Sequence, residues 1–388
     1  MNWNEDKIEN VIEKIATGKT PPTSNKEYFD GDINWYTPSD VVNNIALNRS
    51  SRTITQKAID DNKAIVFESD TLLITCIGNI GRLGLTTKKS SSNQQITGLK
   101  FKPFIYPRFA FYYFLFIQSH LMQKANSAVV PILNNAGLKE IRIRYPDLKT
   151  QQEIAHVLEQ ADKARQQRKA ANALTDEFLQ SSFLSLFGDP VKNEKGWEVE
   201  KLEELATVNP RMNEEKDLPE DYQVSFIPMA AVDDIKGRIK TFYQKQIKEV
   251  KKGFTYFKED DVLFAKITPC MENGKAAIAR GLLNGIGFGT TEFHVIRCGS
   301  KIIPEYIYSI IRFQQFRDIA ADNMTGSAGQ RRVPSEFLKQ FQIPIPPLSL
   351  QQQFAAIVAE AEALRKKQQE SEQELEQLFQ SLLQKYFG

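Results

Sequence analysis

The chain has 388 residues, and those best suited to nucleophilic or metal chemistry are three histidines and three cysteines, neither set spaced for it. Cys76, Cys270 and Cys298 form no Cys-x-x-Cys pair, so a thiolate zinc site is not encoded. Their odd, low number fits a reducing compartment. His120, His156 and His294 are scattered, without a His-Glu-x-x-His helix. "GKT" at Gly18–Thr20 has Glu13 where a phosphate-binding loop needs its first glycine. "GNIGRLG" (Gly78–Gly84) has the wrong glycine spacing for a dinucleotide fingerprint. There is no Gly-x-Ser-x-Gly nucleophile elbow. "VNPRM" around Pro210 is not the Asn-Pro-Pro-aromatic motif of amino-methyltransferases, and "PDLK" from Pro146 is a short acidic-x-Lys string that leads straight into a helix. These absences predict a non-catalytic protein.

What remains is chemistry suited to binding. "GNIGRLGLTTKK" carries Asn79, Arg82, Lys88 and Lys89 on a glycine-permitted turn, and "KITPCMENGK" carries Lys266, Asn273 and Lys275. "GSAGQRRV" sets Gln330, Arg331 and Arg332 before a later element; "VPILNNAGLK" sets Asn134 and Asn135 at the matching place upstream. Asn and Gln match adenine edges, Arg matches guanine edges, and Lys holds phosphates. Any one of these residues is equally readable as a solvated turn. The pattern gains weight because such loops recur at equivalent places in the two halves of the chain.

That equivalence comes from a tandem repeat. At an offset of 200 the sequence matches itself without a gap from Leu138–Lys139 to Phe187–Gly188, against Leu338–Lys339 to Phe387–Gly388. Pro146, Gln151 and Arg165 meet Pro346, Gln351 and Arg365. A weaker echo at an offset of 190 pairs "IEKIATGKTPP" with "LEELATVNPRM" and "FESDTLLITCIGNIG" with "FKEDDVLFAKITPCM". The order is variable body, repeated helix, variable body, repeated helix. Each repeated segment reads as one long helix, opened by Pro146 or Pro346–Pro347 and closed by Gly188 or Gly388. The expected apolar seam is Ile154, Val157, Ala161, Ala164, Arg168, Ala171 and Phe178 in the first helix. In the second it is Phe354, Ile357, Ala361, Leu364, Gln368, Ser371, Leu375, Leu378 and Leu382. Arg168 and Gln368 are polar residues at mid-seam, the kind that set register. A rod of about 38 residues, roughly 57 Å long, needs a partner, and duplication supplies one within the chain: an antiparallel intramolecular coiled coil. The fold class expected is α+β, with two globular domains (1–147 and 189–347) joined by helical spacers (148–188 and 348–388) in a pseudo-two-fold arrangement. The short runs "LLITCIG", "ITGLKF", "KEIRIRYP", "VLFAKIT", "FHVIRC" and "FQIPIP" read as strands. "PRFAFYYFLFIQSHLMQKAN" and "PEYIYSIIRFQQFRDIAADN" read as helices.

Charge is nearly balanced at +2, so a polyanion partner would meet a local patch rather than a basic chain. The longest apolar run, "FAFYYFLFI", is too short to span a bilayer. The opening "MNWNEDKIEN" lacks the layout of a signal peptide. A cytoplasmic location is expected.

The whole layout resembles the DNA-specificity subunit of type I restriction-modification systems. The resemblance is carried by "TGKTPPTSNKEYFDGDINWYTPSDV", "NNAGLKEIRIRYPDLKTQQEIA" and "SLFGDPVKNEKGWEVEKLEELA". The second body departs from the first: Thr17–Gly18–Lys19 becomes Thr207–Val208–Asn209, and Trp35–Tyr36 becomes Phe226–Ile227. The resemblance implies a non-catalytic subunit whose two target-recognition domains read an asymmetric, bipartite site on double-stranded DNA. It implies docking of two N6-adenine methyltransferase subunits and of ATP-dependent restriction subunits. S-adenosylmethionine, ATP and magnesium would be bound by those partners and no cofactor by this chain. The alternatives are a DNA-targeting adaptor of another defence or methylation system on the same scaffold, and a coiled-coil scaffold that binds only proteins.

Overall fold

The computed structural model describes residues 3–126, 133–212, 218–234, 237–327 and 329–388. They form two compact units, one of residues 1–170 and 369–388, the other of residues 171–368. Two 40-residue helices, Leu148–Phe187 and Leu348–Phe387, each divide between the units near their midpoints.

The first unit is built on a five-stranded sheet in the order Ile12–Thr17, Ile96–Phe101, Thr71–Thr75, Leu83–Thr86, Asn44–Leu47. A three-stranded sheet, Arg52–Ile54, Phe29–Tyr36, Ser90–Ser92, contains a parallel pair between Phe29–Tyr36 and Ser90–Ser92. Asn4–Lys7 pairs antiparallel with Arg142–Tyr145, the strand just ahead of the first long helix. The second unit repeats this plan. Its sheet runs Ala206–Val208, Phe293–Cys298, Val262–Ala265, Ala276–Ile278. Its second sheet again holds a parallel pair, Gln223–Ile227 with Ile286–Gly289. Glu198–Lys201 pairs antiparallel with Gln342–Ile345, ahead of the second long helix. The order of the first four strands of the main sheet and of three strands in the second sheet is kept between the halves; the first unit adds Asn44–Leu47 to its main sheet, and the second adds Thr255–Lys258 to its other sheet.

The segments read as helices over "PRFAFYYFLFIQSHLMQKAN" and "PEYIYSIIRFQQFRDIAADN" each break in two. They form Pro107–Phe116 with Gln118–Asn126, and Pro304–Arg312 with Gln314–Asp322. Phe313 takes extended backbone angles at the second break, which lets its ring turn into the core beside Phe183, 5.3 Å between centroids.

The repeated glutamines explain themselves. Gln151 is fully buried; its Nε2 donates to Phe104 O and Pro146 O (both 2.9 Å), and its Oε1 accepts from Tyr106 N (2.8 Å). Gln351 does the same with Lys301 O (3.0 Å), Pro346 O (2.8 Å) and Ile303 N (3.1 Å). Buried backbone groups left unpaired cost about 1–3 kcal/mol each, so one amide per unit ties the start of the long helix to the loop before the proline-led helix.

Within each unit the two long helices pair antiparallel. In the first, Arg165 donates to Glu376 (2.9 Å) and lies 4.3 Å over the Phe379 ring. In the second, Phe183 meets Phe354 (5.4 Å), Thr175 meets Gln368 (3.4 Å) and Arg365 pairs with Asp176. The seam differs from the one read in the sequence. Buried or half-buried positions include Gln151, Ile154, Leu158, Ala161, Arg165, Arg168, Thr175 and Leu179 in the first helix. In the second they include Gln351, Phe354, Val358, Ala361, Arg365, Gln368, Leu375 and Phe379; Ala164, Ala171 and Ser371 of the expected seam are half-buried as well. Ile154, Ala161, Arg168, Phe354, Gln368 and Leu375 thus lie on it, and Leu382 packs against the core of the first unit. Val157, Phe178, Leu364 and Leu378 do not: they are 38, 56, 49 and 50% exposed. Ile357 is half-buried beside the seam. Alternate members of the expected seam are off by one. From Ile154 to Ala161 a heptad can step by three then four or by four then three, and the two choices point to different sides of one helix. The structure takes the second, because it places Leu158, Val358 and Phe379 on the seam although arginines (Arg165, Arg365) share that row.

Candidate nucleic-acid interface

In the second unit three extended segments lie side by side. Lys266 N donates to Glu292 O (2.9 Å), Val333 N to Lys266 O (2.9 Å) and Thr268 N to Arg331 O (3.1 Å). This arrangement brings the loop Lys266–Lys275 and the glycine-rich loop ending at Arg332 together, as separate readings of the sequence could not. Gly326 has φ +117° and Gly329 φ +81°, backbone geometry that admits glycine readily and side chains poorly.

The charged groups there are not equivalent. Arg332 gives Nε and Nη2 to the Glu292 carboxylate (both 2.9 Å) and Nη1 to Gln330 O (3.0 Å). Arg331 reaches Glu272 at 3.2 Å. The Arg332 guanidinium holds the Glu292 carboxyl below its usual range despite some burial. Both arginines therefore carry their own counter-ions, and Arg332 acts first as a clamp on its loop. Lys266 differs: among the described residues its ammonium has no hydrogen-bond partner. Burial lowers its pKa, Glu292 opposes that, and Arg332 adds to it. Lys266 lines a cleft of about 340 Å³ with Asn209, Arg211, Lys251, Phe254 and Tyr256. Cations beside aromatic rings suit phosphate contact and base stacking. Gln330 is exposed, and so is Asn273; Lys275 Nζ contacts Met229 O at 3.4 Å. Beneath this surface His294 is buried: Nε2 donates to Val333 O (2.8 Å), leaving Nδ1 to accept from Asn209 Nδ2 (3.0 Å). Burial pushes its pKa down to about 4, so it is a neutral structural ring.

In the first unit the candidate asparagines match Pro334 and Ser335 of the second. Asn134 caps the helix Asn135–Lys139 by accepting from Gly137 N (2.8 Å). Asn135 Oδ1 accepts from the Thr17 and Thr97 hydroxyls (3.2 Å each). The carbonyl oxygens of both asparagines thus serve the fold, which leaves their amide NH2 groups for any contact with a base edge. Asn79 and Arg82 sit on a turn where Gly78 and Gly81 take φ near +80°. Lys88 and Lys89 are exposed at the far end of the strand Leu83–Thr86, and Lys89 donates to Gln56 Oε1 (3.0 Å). Four residues of strand, about 13 Å, separate the two pairs, so "GNIGRLGLTTKK" is two sites and not one loop. "GKT" also finds its reason. Gly18 packs so close to the strand Ser90–Ser92 that a Cβ would lie 2.1 Å from Ser92 Oγ. Next to it Lys19 donates to Asn62 O (2.6 Å) and Thr20 to Gln94 Oε1 (2.5 Å).

Sequence reasoning passed over Arg211, Lys251, Arg312 and Arg317, which tertiary packing sets at the edges of two clefts. No three His, Cys, Asp or Glu side chains of those residues lie close enough to share a metal ion. The Cys298 thiol is pushed up to about 12 by burial, away from reactive thiolate. No helix among the described residues is long and apolar enough to cross a membrane.

Comparison with known proteins adds an independent finding. A family model described as "Type I restriction modification DNA specificity domain" matches residues 1–174 and again 194–377. The chain is 42% identical over 162 residues to the type I restriction enzyme EcoEI specificity subunit of Escherichia coli, covering 41% of this chain and 26% of that one. It is 31% identical over 231 residues to the MjaIX specificity subunit of Methanocaldococcus jannaschii, covering 55% and 53%. The chain thus spans only about a quarter to a half of these relatives' length. A solved type I S subunit from M. genitalium matches across 100% of this chain and 96% of its own, with TM-score 0.60 at 15% identity, which shows a shared fold.

Proposed function

The chain belongs to the type I restriction modification DNA specificity family, and from that premise we propose that it is the DNA-reading subunit of a methylation and restriction complex, each unit reading one half of a bipartite, asymmetric target. The observation that carries this reading is the duplicated frame with unlike surfaces. Both units share a core strand order, yet their surfaces differ: the second carries Lys266 beside the Glu292–Arg332 pair, whereas the first has neutral Cys76 at the position matching Lys266 and an Asn135–Thr17–Thr97 cluster of its own. Different donors and acceptors select different base edges. The chain itself performs no chemistry; two N6-adenine methyltransferase subunits and ATP-dependent restriction subunits would supply S-adenosylmethionine, ATP and magnesium chemistry.

The exposed row beside the seam supports docking. Val157, Phe178, Leu364 and Leu378, with Leu174 at 62% exposure, are apolar residues on helix faces turned to solvent. Phe178 and Leu378 stand at matching places in the two repeats and are the apolar pair that two like partners would share. Helix residues of this kind at interfaces contribute through buried apolar area. The test is a map of methylated adenines in host DNA with and without this chain. Loss of methylation at a split, non-palindromic site on deletion is the expected result. A palindromic site, or an unchanged map, overturns the reading in favour of another adaptor role or of a protein-only scaffold.

A further inference from the structure

Lys266 and Cys76 stand at the same place in the two units. Cys76 N donates to Gln95 O (2.7 Å), and Cys76 O accepts from Leu133 N (3.1 Å). Lys266 N donates to Glu292 O and Lys266 O accepts from Val333 N, both at 2.9 Å. The backbone frame closes in the same way around either residue, so it does not need a lysine. The side chains differ in what they meet. Cys76 is 4% exposed, within the apolar core of the first unit. Lys266 is half-buried on the wall of the cleft of about 340 Å³. Among the described residues its ammonium has neither a hydrogen-bond nor an ion-pair partner. Glu292 attracts it, but that carboxylate takes two hydrogen bonds from Arg332 (2.9 Å each). No carboxylate of the described residues lines the cleft. Lys251 on its wall is paired with Glu220 (3.6 Å), while Arg211 is exposed there and adds to the positive field. A half-buried ammonium without an acceptor has lost hydration with nothing in return. An anion entering the cleft restores that balance, and a compact ammonium suits a phosphate as a point charge.

We infer that Lys266 holds one backbone phosphate of duplex DNA in this cleft, and that the first unit, with Cys76 in that place, lacks the contact. The inference rests on the proposed function above and makes its two readers unequal: the second unit has a backbone grip that the first does not share. DNA is favoured over an acidic protein partner because of what adjoins the lysine. Ile267, next in the chain, bridges to Arg332 of the glycine-rich loop, and Gln330 of that loop is exposed. A phosphate held at Lys266 fixes the register of the duplex against a side chain able to meet a base edge, and carries no sequence information itself. Phe254, 38% exposed on the same cleft, offers an apolar face to the adjoining deoxyribose.

The experiment uses the full chain assembled with its methyltransferase partner, binding a duplex that contains its mapped target. Lys266→Met keeps an apolar stem and removes the charge. Its slope of log affinity against log salt should become shallower by about 0.9, the value of one phosphate contact. Over a fourfold rise in salt the wild type then loses roughly three times more affinity than the variant. Lys266→Arg, which keeps the charge, should keep most of the slope. Base preferences at both half-sites should be the same in Lys266→Met as in the wild type. Neutral methylphosphonates placed one at a time in the duplex probe the same contact with the wild-type protein. One position, in only one of the two half-sites, should weaken wild-type binding and leave Lys266→Met unaffected. An unchanged slope with no such position overturns the inference. So does relaxed preference at one base pair in Lys266→Met with the slope unchanged, which makes Lys266 a reader of a base edge. Saturable binding of inorganic phosphate by the DNA-free complex, lost in Lys266→Met while the DNA salt slope stays at the wild-type value, assigns a free anion and also overturns it. Weaker capture of the methyltransferase by Lys266→Met, with an unchanged slope in the complex that does form, assigns an acidic protein contact and overturns it as well. Failure of the wild-type complex to prefer any duplex sequence would sink the proposed function itself, and it shows without any variant.

Discussion

Two phenylalanines five positions apart on one helix should behave in opposite ways. Phe183 is 1% exposed and Phe178 is 56% exposed. The Phe183 ring lies 4.9 Å from Phe187, 5.6 Å from Tyr306, 5.3 Å from Phe313 and 5.4 Å from Phe354. Truncating a buried Phe to Ala costs about 3–5 kcal/mol, and the aromatic pairs it removes, about 0.5–1.5 kcal/mol each, place Phe183→Ala toward the upper end. Phe178→Ala should change stability by no more than about 0.5 kcal/mol. Urea unfolding of the full chain, followed by tryptophan fluorescence, separates them. Trp197 donates to Phe187 O (2.9 Å) and so reports on the second unit. At a denaturant slope of about 2 kcal/mol/M, Phe183→Ala lowers the midpoint by roughly 2 M. Phe178→Ala leaves the midpoint in place and weakens capture of the methyltransferase subunit. Equal destabilisation by the two substitutions would refute the seam described here and restore the register read from periodicity alone.

Other consequences are open to direct measurement. Inserting one heptad into each long helix, near Arg168 and near Gln368, keeps the seam and adds about 10 Å. The spacer between methylated half-sites should then grow by on the order of three base pairs, or binding should fail through altered helical phase; methylation at the original spacing refutes the helices as ruler. His294, with a folded pKa of about 4 against 6.5, binds fewer protons folded than unfolded. Its contribution is complete above about pH 6.5 and lost as pH falls toward 4, on the order of 3 kcal/mol in all. Stability of wild type relative to His294→Gln should therefore fall between about pH 7 and pH 4.5. Glu292→Gln should raise non-specific DNA affinity by removing a negative charge, yet lower the specificity ratio because Arg332 loses its clamp; a ratio at the wild-type value counts against the clamp. Alanine at both Arg331 and Arg332 should weaken specific binding with the methyltransferase complex intact, by about 1–3 kcal/mol for every base-edge hydrogen-bonded pair removed.

The amino-acid sequence determined the frame. A gapless repeat of about 50 residues can be seen without any structure. The prolines and glycines that bound its helices act locally, through backbone geometry that depends on near neighbours alone. Short, continuously apolar strands such as Thr71–Thr75 and Val262–Ala265 were legible from composition and their bounding residues. Which face of each helix is buried was not. Periodicity gives the spacing of apolar residues, whereas the side they point to depends on what packs there, and Arg165 and Arg365 on the seam disguise it as a polar row. The loops gave a similar result. Asn134, Asn135, Arg331 and Arg332 carry the right groups for base edges, but tertiary structure decides how many of those groups remain unspent. A helix N-cap, two threonine hydroxyls and two glutamates claim part of each. Conversely Arg312 and Arg317 look ordinary in sequence and share a cleft only because the helix Gln314–Asp322 packs beside the loop of Gly274. Local rules are written in sequence because their energies involve residues a few positions apart. Hydrogen-bond satisfaction and charge pairing are settled by whichever distant segments the fold brings within about 3 Å of each other.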